Sequence, residues 1–571
     1  MAASVEYTAL EQLVICRDRL QRAQMRQAGE ALLSAGQTQR QVAAALGVAR
    51  STFQDWQRAS AGEAVPAGLA EFIATSEGIQ WLRRIVVAAH FAITLRGGAG
   101  IRVVCEFLEL SGLSAFVGAS YGTQQALNVA LEAALVTLAE QQRTALAEGM
   151  TPRQVTVCED ETFHPAICLV ALEPVSGFIF LEQYAEDRSA ATWSQALQRA
   201  LCGLPIEVIQ GTSDEAKALR RHIEGDCHAQ HSPDLFHCQH EVSKATALHL
   251  ARQLKQAEAR VVAADAHWQA ERAGEQAYWR QPRRPRGRPP AFAQRIQAAV
   301  EDLTRAEAER EQAQTRQCEA RTLIRALGEL YHPYSLQAGQ AQPVAVLAQR
   351  FEDIWKRLGQ LADAADLPTR AREHLAKAQR LTTQLLATMA FFFATVQTKV
   401  EALDLSPELH QVVIEQLIPA IYLERVATRS TRAESRHRLH ALSARMLEPL
   451  RQATHPLQQL APTSRACIEQ VAGECADLFQ RSSSAVEGRN GQLSLHHHGR
   501  HRLSDRKLAA LTAVHNFHIR RADGTTAAQR LFGRDHAPLF EQVLERMPLP
   551  PPPRQRRAPR PRAPYLQPLA A

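Results

Sequence analysis

Apolar positions along this chain fall into two patterns. Over one stretch they form short dense runs of strand length, and almost everywhere else they recur at helical spacing. The first dense run, Val155-Thr156-Val157-Cys158-Glu159-Asp160, ends on an acid. Ala166 to Leu172 and Phe178 to Tyr184 are two more runs of strand character. A helical stretch, Thr192 to Leu201, leads to Ile206-Glu207-Val208-Ile209-Gln210-Gly211-Thr212-Ser213-Asp214. A helix over Glu215 to Ile223 and a short strand-like run, Asp234 to Cys238, follow. Three strands, a helix and a fourth strand is a chain order that sets an acid on the first strand beside one on the fourth. If the alternation of this first strand persists, Glu159 points away from Asp160; if the strand stops there, Glu161 turns to its side.

The remainder reads as helical. Residues 26–58 carry a helix-turn-helix pattern: a helix to about Leu33, a second over Gln39 to Leu46, a turn at Gly47-Val48 and a third over Ser51 to Arg58. Val42, Ala43, Leu46, Val48, Phe53 and Trp56 would form its buried face, leaving Arg50, Thr52, Gln54, Asp55 and Arg58 to face a DNA major groove. Residues 70–150 are helical and apolar without evident chemistry. Glu241 to Trp279 and Ala291 to Leu330 are two long stretches rich in Ala, Gln, Glu and Arg, separated by a Pro/Arg segment that cannot be helical. They predict an antiparallel hairpin with a basic tip. Further helices run from Val344 to about Ala461, interrupted near Pro368, Pro407 and Pro419.

Composition adds limits. The chain has 571 residues, 45% hydrophobic and 22% charged, ordinary values for a globular protein with room for three or four domains. The longest apolar stretches, Ile85 to Leu95 and Met389 to Val396, are too short to span a bilayer. No signal peptide is expected, and ten dispersed cysteines suit a reducing, cytoplasmic setting. The net charge of +7 is modest but clustered. Arg280, Arg283, Arg284, Arg286 and Arg288 lie at the hairpin tip, and Arg554, Arg556, Arg557, Arg560 and Arg562 in a Pro-rich tail. Such patches favour a polyphosphate partner. Arg286-Gly287-Arg288-Pro289 also has the form of an AT-hook, though the same arginines serve equally for non-specific contact or as a solvated linker.

Three carboxylates carry the chemistry: Asp160, Asp214 and Glu487, the last within Ser482-Ser483-Ser484-Ala485-Val486-Glu487-Gly488-Arg489-Asn490. Hard Mg²⁺ ions take oxygen ligands, commonly one or two protein carboxylates plus substrate phosphate. Two such ions can stabilise the attacking and leaving oxygens of a phosphodiester. Singly, each acid has a plainer reading as a turn former or cap. A zinc site is the competing chemistry, from Cys227, His228, His231, His237, Cys238 and His240, but no clean pair of ligand spacings is present. The histidines that follow Glu487 (His496, His497, His498 and His501) read as phosphate-facing.

Fifty-four residues separate Asp160 from Asp214 and 273 separate Asp214 from Glu487, so a helical region, 241–480, must be inserted before the last acid. With Asp234-Leu235-Phe236-His237 matching a C/D-x-x-H motif, and Val486 to Ser494 matching the segment around a catalytic glutamate, the chain resembles DDE-type insertion-sequence transposases of the Mutator-like branch. The resemblance covers most of residues 150–525. It implies a mixed α/β and α fold, an RNase H-like core with a large all-helical insertion and an N-terminal helix-turn-helix domain. It implies catalysis and metal binding by Asp160, Asp214 and Glu487, with Asp234 and His237 in support and Mg²⁺ or Mn²⁺, two ions, as cofactor. DNA contacts are expected from Arg50, Thr52, Gln54, Arg58, Arg283, Arg284, Arg286, Arg288, Arg489 and Asn490. The expected segments are 1–60, 61–150, 151–240, 241–480, 481–525 and 526–571. The expected activity is cleavage at element ends and strand transfer by a homo-oligomer on DNA, in the cytoplasm near the nucleoid. A domesticated DNA-binding protein and a nuclease without strand transfer are the alternatives.

Overall fold

The dense apolar runs pair into one five-stranded mixed sheet. In the computed structural model, which describes residues 24–59, 67–163, 166–283, 287–498 and 503–553, the strands are β1 (Arg153–Phe163), β2 (Ile167–Glu173), β3 (Phe178–Ala185), β4 (Ile206–Ser213) and β5 (Gln230–Pro233). Their order is β3-β2-β1-β4-β5. β1 to β3 form an antiparallel meander, whereas β4 and β5 run parallel to β1 on its other side. Cys158 lies opposite Thr212, so Asp160 and Asp214 follow two residues further along adjacent strands.

Period-two alternation gives the sheet two dry faces. Cys158, Cys168, Val170 and Leu172 face helices Tyr121–Ala147 and Asp505–Phe517. Leu169, Ala171 and Leu181 face helix Ala190–Leu201 through Trp193, Ala196 and Leu197. Residues 70–150 are thus part of this core rather than a separate region, with Leu127, Leu131, Leu135 and Leu138 packed into it. Leu531, Leu539 and Val543 close the same core from the C-terminal side.

One strand differs from expectation. The run Asp234 to Cys238 is the first turn of helix Leu235–Arg280, and the strand is the preceding Gln230–Pro233. Pro233 ends the ladder at the sheet edge, where a missing N–H is tolerated. Asp234 then caps the helix by accepting from Phe236 N–H at 2.7 Å.

Helix Leu235–Arg280, about 69 Å long at 1.5 Å per residue, pairs with helix Phe292–Leu330. Ion pairs Arg260–Glu309 and Arg295–Glu271 show the antiparallel sense. The seam repeats every seven residues: Phe292, Ala299, Ala306, Ala313, Ala320 and Leu327 are all buried. Alanine at those positions lets the two backbones approach closely. The other helices of the insertion share a second core with Phe351, Trp355, Phe392 and Tyr422. Breaks occur as expected at Pro368 and Pro407, which begin helices. Near Pro419 the helix continues instead through one π turn, Val413–Leu417, which absorbs the lost N–H.

At the N-terminal end a helix over 24–34 precedes Gln39–Ala45 and Arg50–Ala59. Val42, Ala43 and Phe53 are buried together, with Leu32, Leu33, Leu46 and Val48 against them. The turn is a Schellman pair, Gly47 N to Ala44 O and Val48 N to Ala43 O, with Gly47 at φ +66°. The Trp56 side chain lies outside the described residues. Among the described residues no helix is long and apolar enough to cross a membrane.

Replacing Ala306 by Leu should force the seam apart and cost about 1–3 kcal/mol of local stability. Hydrogen exchange along both arms should accelerate, whereas Ala308→Leu, on the exposed face, should leave it unchanged. Equal rates for the two variants would contradict the seam.

Candidate active site

Asp160 sits on the β1 face that also carries Thr156 and Cys158, whose side chains donate to Leu478 O and Ser482 O. That face therefore looks onto the segment leading to Glu487. Asp160 Oδ1 accepts from Glu161 N–H and Oδ2 from Asn490 Nδ2, both at 2.8 Å. Burial raises the Asp160 pKa, the Glu161 N–H opposes it, and the charges of Asp214, Glu161 and Glu487 raise it further, from 3.8 to about 6. Asp214 and Glu487 are thus each within electrostatic reach of Asp160. None forms a salt bridge among the described residues.

Asp214 follows the last residue of β4, and its Oδ1 accepts from Ala216 N–H at 2.9 Å, a local turn that fixes the carboxyl after the strand ends. Glu487 is exposed in the first turn of helix Ser484–His498. Asn490 lies one turn further along the helix, so its bond to Asp160 ties the helix that carries Glu487 to β1.

Asp234 joins these parts. Its N–H donates to Ser213 O, one residue before Asp214. Its Oδ2 accepts from Ser483 N–H at 3.0 Å and from Ser483 Oγ, four residues before Glu487. Leu235 N–H also donates to Arg481 O at 3.0 Å. Asp234 is 1% exposed and acts as a clamp between the two acid-bearing segments. His237 is half-buried in the first helical turn beside Phe236.

Several expected DNA contacts are occupied elsewhere. The Arg489 guanidinium is buried, with Nε and Nη2 donating to Glu182 of β3 at 2.7 and 2.6 Å, so it anchors the helix to the sheet instead of facing DNA. Asn490 is committed to Asp160. Gln54 donates to Gln39 Oε1 at 2.9 Å within the three-helix unit. Arg50 is exposed and Thr52 half-exposed, as a groove contact would require. Arg283 and Arg288 are exposed at the hairpin tip; Arg284, Arg286 and the Arg58 side chain lie outside the described residues.

On the opposite face, Glu159 and His222 form a fully buried pair at 3.3 Å. Because β1 continues to Phe163, Glu161 also points there, bonded to Arg188 and Trp193 Nε1 at 3.3 Å each. Among the alternatives around Asp160, alternation leaves Asp160 alone on the candidate face. Sequence reading missed Glu182 and Ser483, whose partners are hundreds of residues away and carry no local signal.

Among the described residues no three His, Cys, Asp or Glu are close enough to hold a metal ion between them. The Cys/His set is dispersed: Cys238 faces Ala378 O, His231 bonds Ser213 Oγ and Cys227 lies beside His222. His497 is buried against Tyr184, away from any phosphate-facing position. The three carboxylates likewise form no closed cage. Their donor chemistry still suits Mg²⁺, which needs only one or two carboxylates per ion with the rest from water and phosphate. A buried carboxyl held up by like charges is a group that gains from a cation.

Residues 413–559, which include Glu487 and its anchors but neither Asp160 nor Asp214, match the model of a family of unknown function, DUF6399. No curated protein matches the chain.

Between about pH 4 and about pH 6 the unfolded chain releases the Asp160 proton while the folded chain keeps it. Its contribution to stability therefore falls as pH rises through that window. Asp160→Asn should abolish this dependence and raise the melting temperature at pH 8 by about 1–3 °C. The new amide has a waiting acceptor in Asn490 Oδ1, which is buried without a partner. Mg²⁺ should raise the wild-type midpoint at pH 8 and leave the variant's unchanged. A variant destabilised at pH 8 would mark Asp160 as a fold residue.

Proposed function

We propose that this protein is a DDE-type DNA transposase: a metal-dependent enzyme that cleaves DNA strands at element ends and joins them to target DNA, built on an RNase H-like core. The observation that carries the proposal is geometric: β1 and β4 run parallel side by side, so Asp160 and Asp214 lie along adjacent strands, and Asn490 of the Glu487 helix donates to Asp160 at 2.8 Å. The sheet order and strand directions support it, because they set the first and fourth strands side by side in parallel. The helical insertion between β5 and the Glu487 helix supports it as well.

Asp160 and Asp214 would hold one divalent ion and Glu487 would help complete a second. When bound, the ions supply water activation and stabilisation of the leaving oxygen. Asp160 must lose its proton first, so activity should rise as pH passes about 6. Asn490 orients Asp160, and Asp234 keeps the Glu487 segment in place. The freed 3′-hydroxyl attacks a target phosphodiester, so one P–O bond forms as another breaks and no covalent protein intermediate arises. The exposed Arg50 and the hairpin-tip arginines would hold the DNA.

Asp160→Asn, Asp214→Asn and Glu487→Gln should each reduce Mg²⁺-dependent cleavage of matched ends by far more than tenfold while end binding persists. The losses should be non-additive, as for parts of one site. Cleavage within roughly tenfold of wild type for one variant would remove that residue. Cleavage with no joining in a supercoiled-plasmid integration assay would reduce the reading to a nuclease.

A further inference from the structure

Between the insertion and the core lies a cavity of about 1010 Å³ lined by seven arginines. Arg325 comes from helix Phe292–Leu330, Arg350 from helix Val344–Ala364, Arg425, Arg429, Arg432 and Arg438 from residues 425–438, and Arg481 from the segment before the Glu487 helix. Only Glu329 and Asp353 oppose them as acids. Arg425 is paired with Asp477, but Arg325, Arg429, Arg432 and Arg438 form no salt bridge among the described residues. Seven arginines against two acids leave the lining with an excess of positive charge among the described residues, though Asp477 also lies within the field of Arg429.

Arg481 sharpens the point. Its Nη2 donates to Gly328 O, yet its Nε is buried without a partner among the described residues. Burial lowers its pKa, as expected for a cation lacking an anion. A buried N–H without an acceptor is costly, and a ligand oxygen beside Nε would satisfy it.

The cavity ends at Ser482, Ser484 and Ala485, the N-terminus of the 15-residue helix that carries Glu487. The helix dipole favours an anion there, although Ser483 N–H already donates to Asp234 and Ser484 N–H to Ser482 Oγ, so the arginines carry the anion chemistry. The volume is that of a small-molecule site and admits a few nucleotides of one strand, not a duplex. We infer that this cavity binds a short stretch of single-stranded DNA by its phosphates, leading the strand to the N-terminus of the Glu487 helix. The inference rests on the DNA-processing reading of the carboxylates, but its phosphate chemistry stands on the arginines.

The test is fluorescence anisotropy of the full-length protein with labelled oligothymidylate and, separately, with blunt duplex. Arg429→Gln, Arg432→Gln and Arg438→Gln combined should weaken single-strand binding at least tenfold. The log–log salt slope should flatten by about 0.7 for each lost phosphate contact. Duplex affinity should stay within about twofold. Should the triple variant melt early, Arg432→Gln alone should still give a measurable part of the loss. Unchanged strand binding, or an equal loss on duplex, would overturn the inference. So would a nucleoside triphosphate that displaces the oligonucleotide at lower concentration than unlabelled strand does, since the cavity would then be a nucleotide site. Metal-dependent cleavage with unaltered strand binding would sink the cavity alone. Arginine-dependent strand binding without any cleavage would sink the transposase reading alone.

Discussion

The architecture of the candidate site depends on one buried carboxylate, Asp234. It caps the helix that begins the insertion, hangs from the end of β4 through its own N–H, and holds Ser483 with its second oxygen. Between Asp234 and Ser483 the chain makes an excursion of 249 residues. Loop closure over such a length has a substantial entropic cost, though one that grows slowly with length. Hydrogen bonds at the neck, together with the Leu235–Arg481 backbone bond, make the large insertion a limb rather than an interruption. A buried polar group with most of its partners supplied also fixes one geometry, since misaligned alternatives would leave it unsatisfied.

Around that neck, like and unlike charges are sorted by position. Glu182 is fully buried and fully occupied, by Arg489 in a two-pronged pair and by Thr512 Oγ1. Asp160, one strand removed from β2, has an amide and a backbone N–H instead of a cation. The same helix thus delivers a permanent counter-charge to one acid and a neutral donor to the other. That difference leaves Asp160 without a fixed counter-charge among the described residues, whereas Glu182 is a structural anchor. The polar choice at adjacent positions of one helix, Arg489 and Asn490, divides framework from chemistry.

Much of this was legible in the chain because strands and alternation are local. The four main strands were visible as dense apolar runs, and the opposition of Glu159 to Asp160 followed from period two. The fifth strand was misplaced because Asp234-Leu235-Phe236-His237-Cys238 is apolar enough for either state. What decided it was Pro233 ending the ladder and Asp234 capping the helix. Arg489 was read as a DNA contact because its partner lies 307 residues away in sequence, and no local pattern reports such a pairing. Gln54 is half-buried, and its amide donates to a glutamine fifteen residues earlier, a contact between helices that no local pattern reports. The arginine cavity is invisible in the sequence for the same reason as the Glu182 pair, since its arginines come from four separate segments.

The alanine seam of the long hairpin bears on how such a protein could diverge. Because the buried positions recur every seven residues, removing or adding seven residues in each helix would leave every remaining side chain facing its former partner. The arm would shorten or lengthen by about 10 Å per step. Nothing at the neck would register the change. The reach of the tip is therefore a quantity that insertions and deletions can tune in discrete increments, independently of the sheet and the acids it carries.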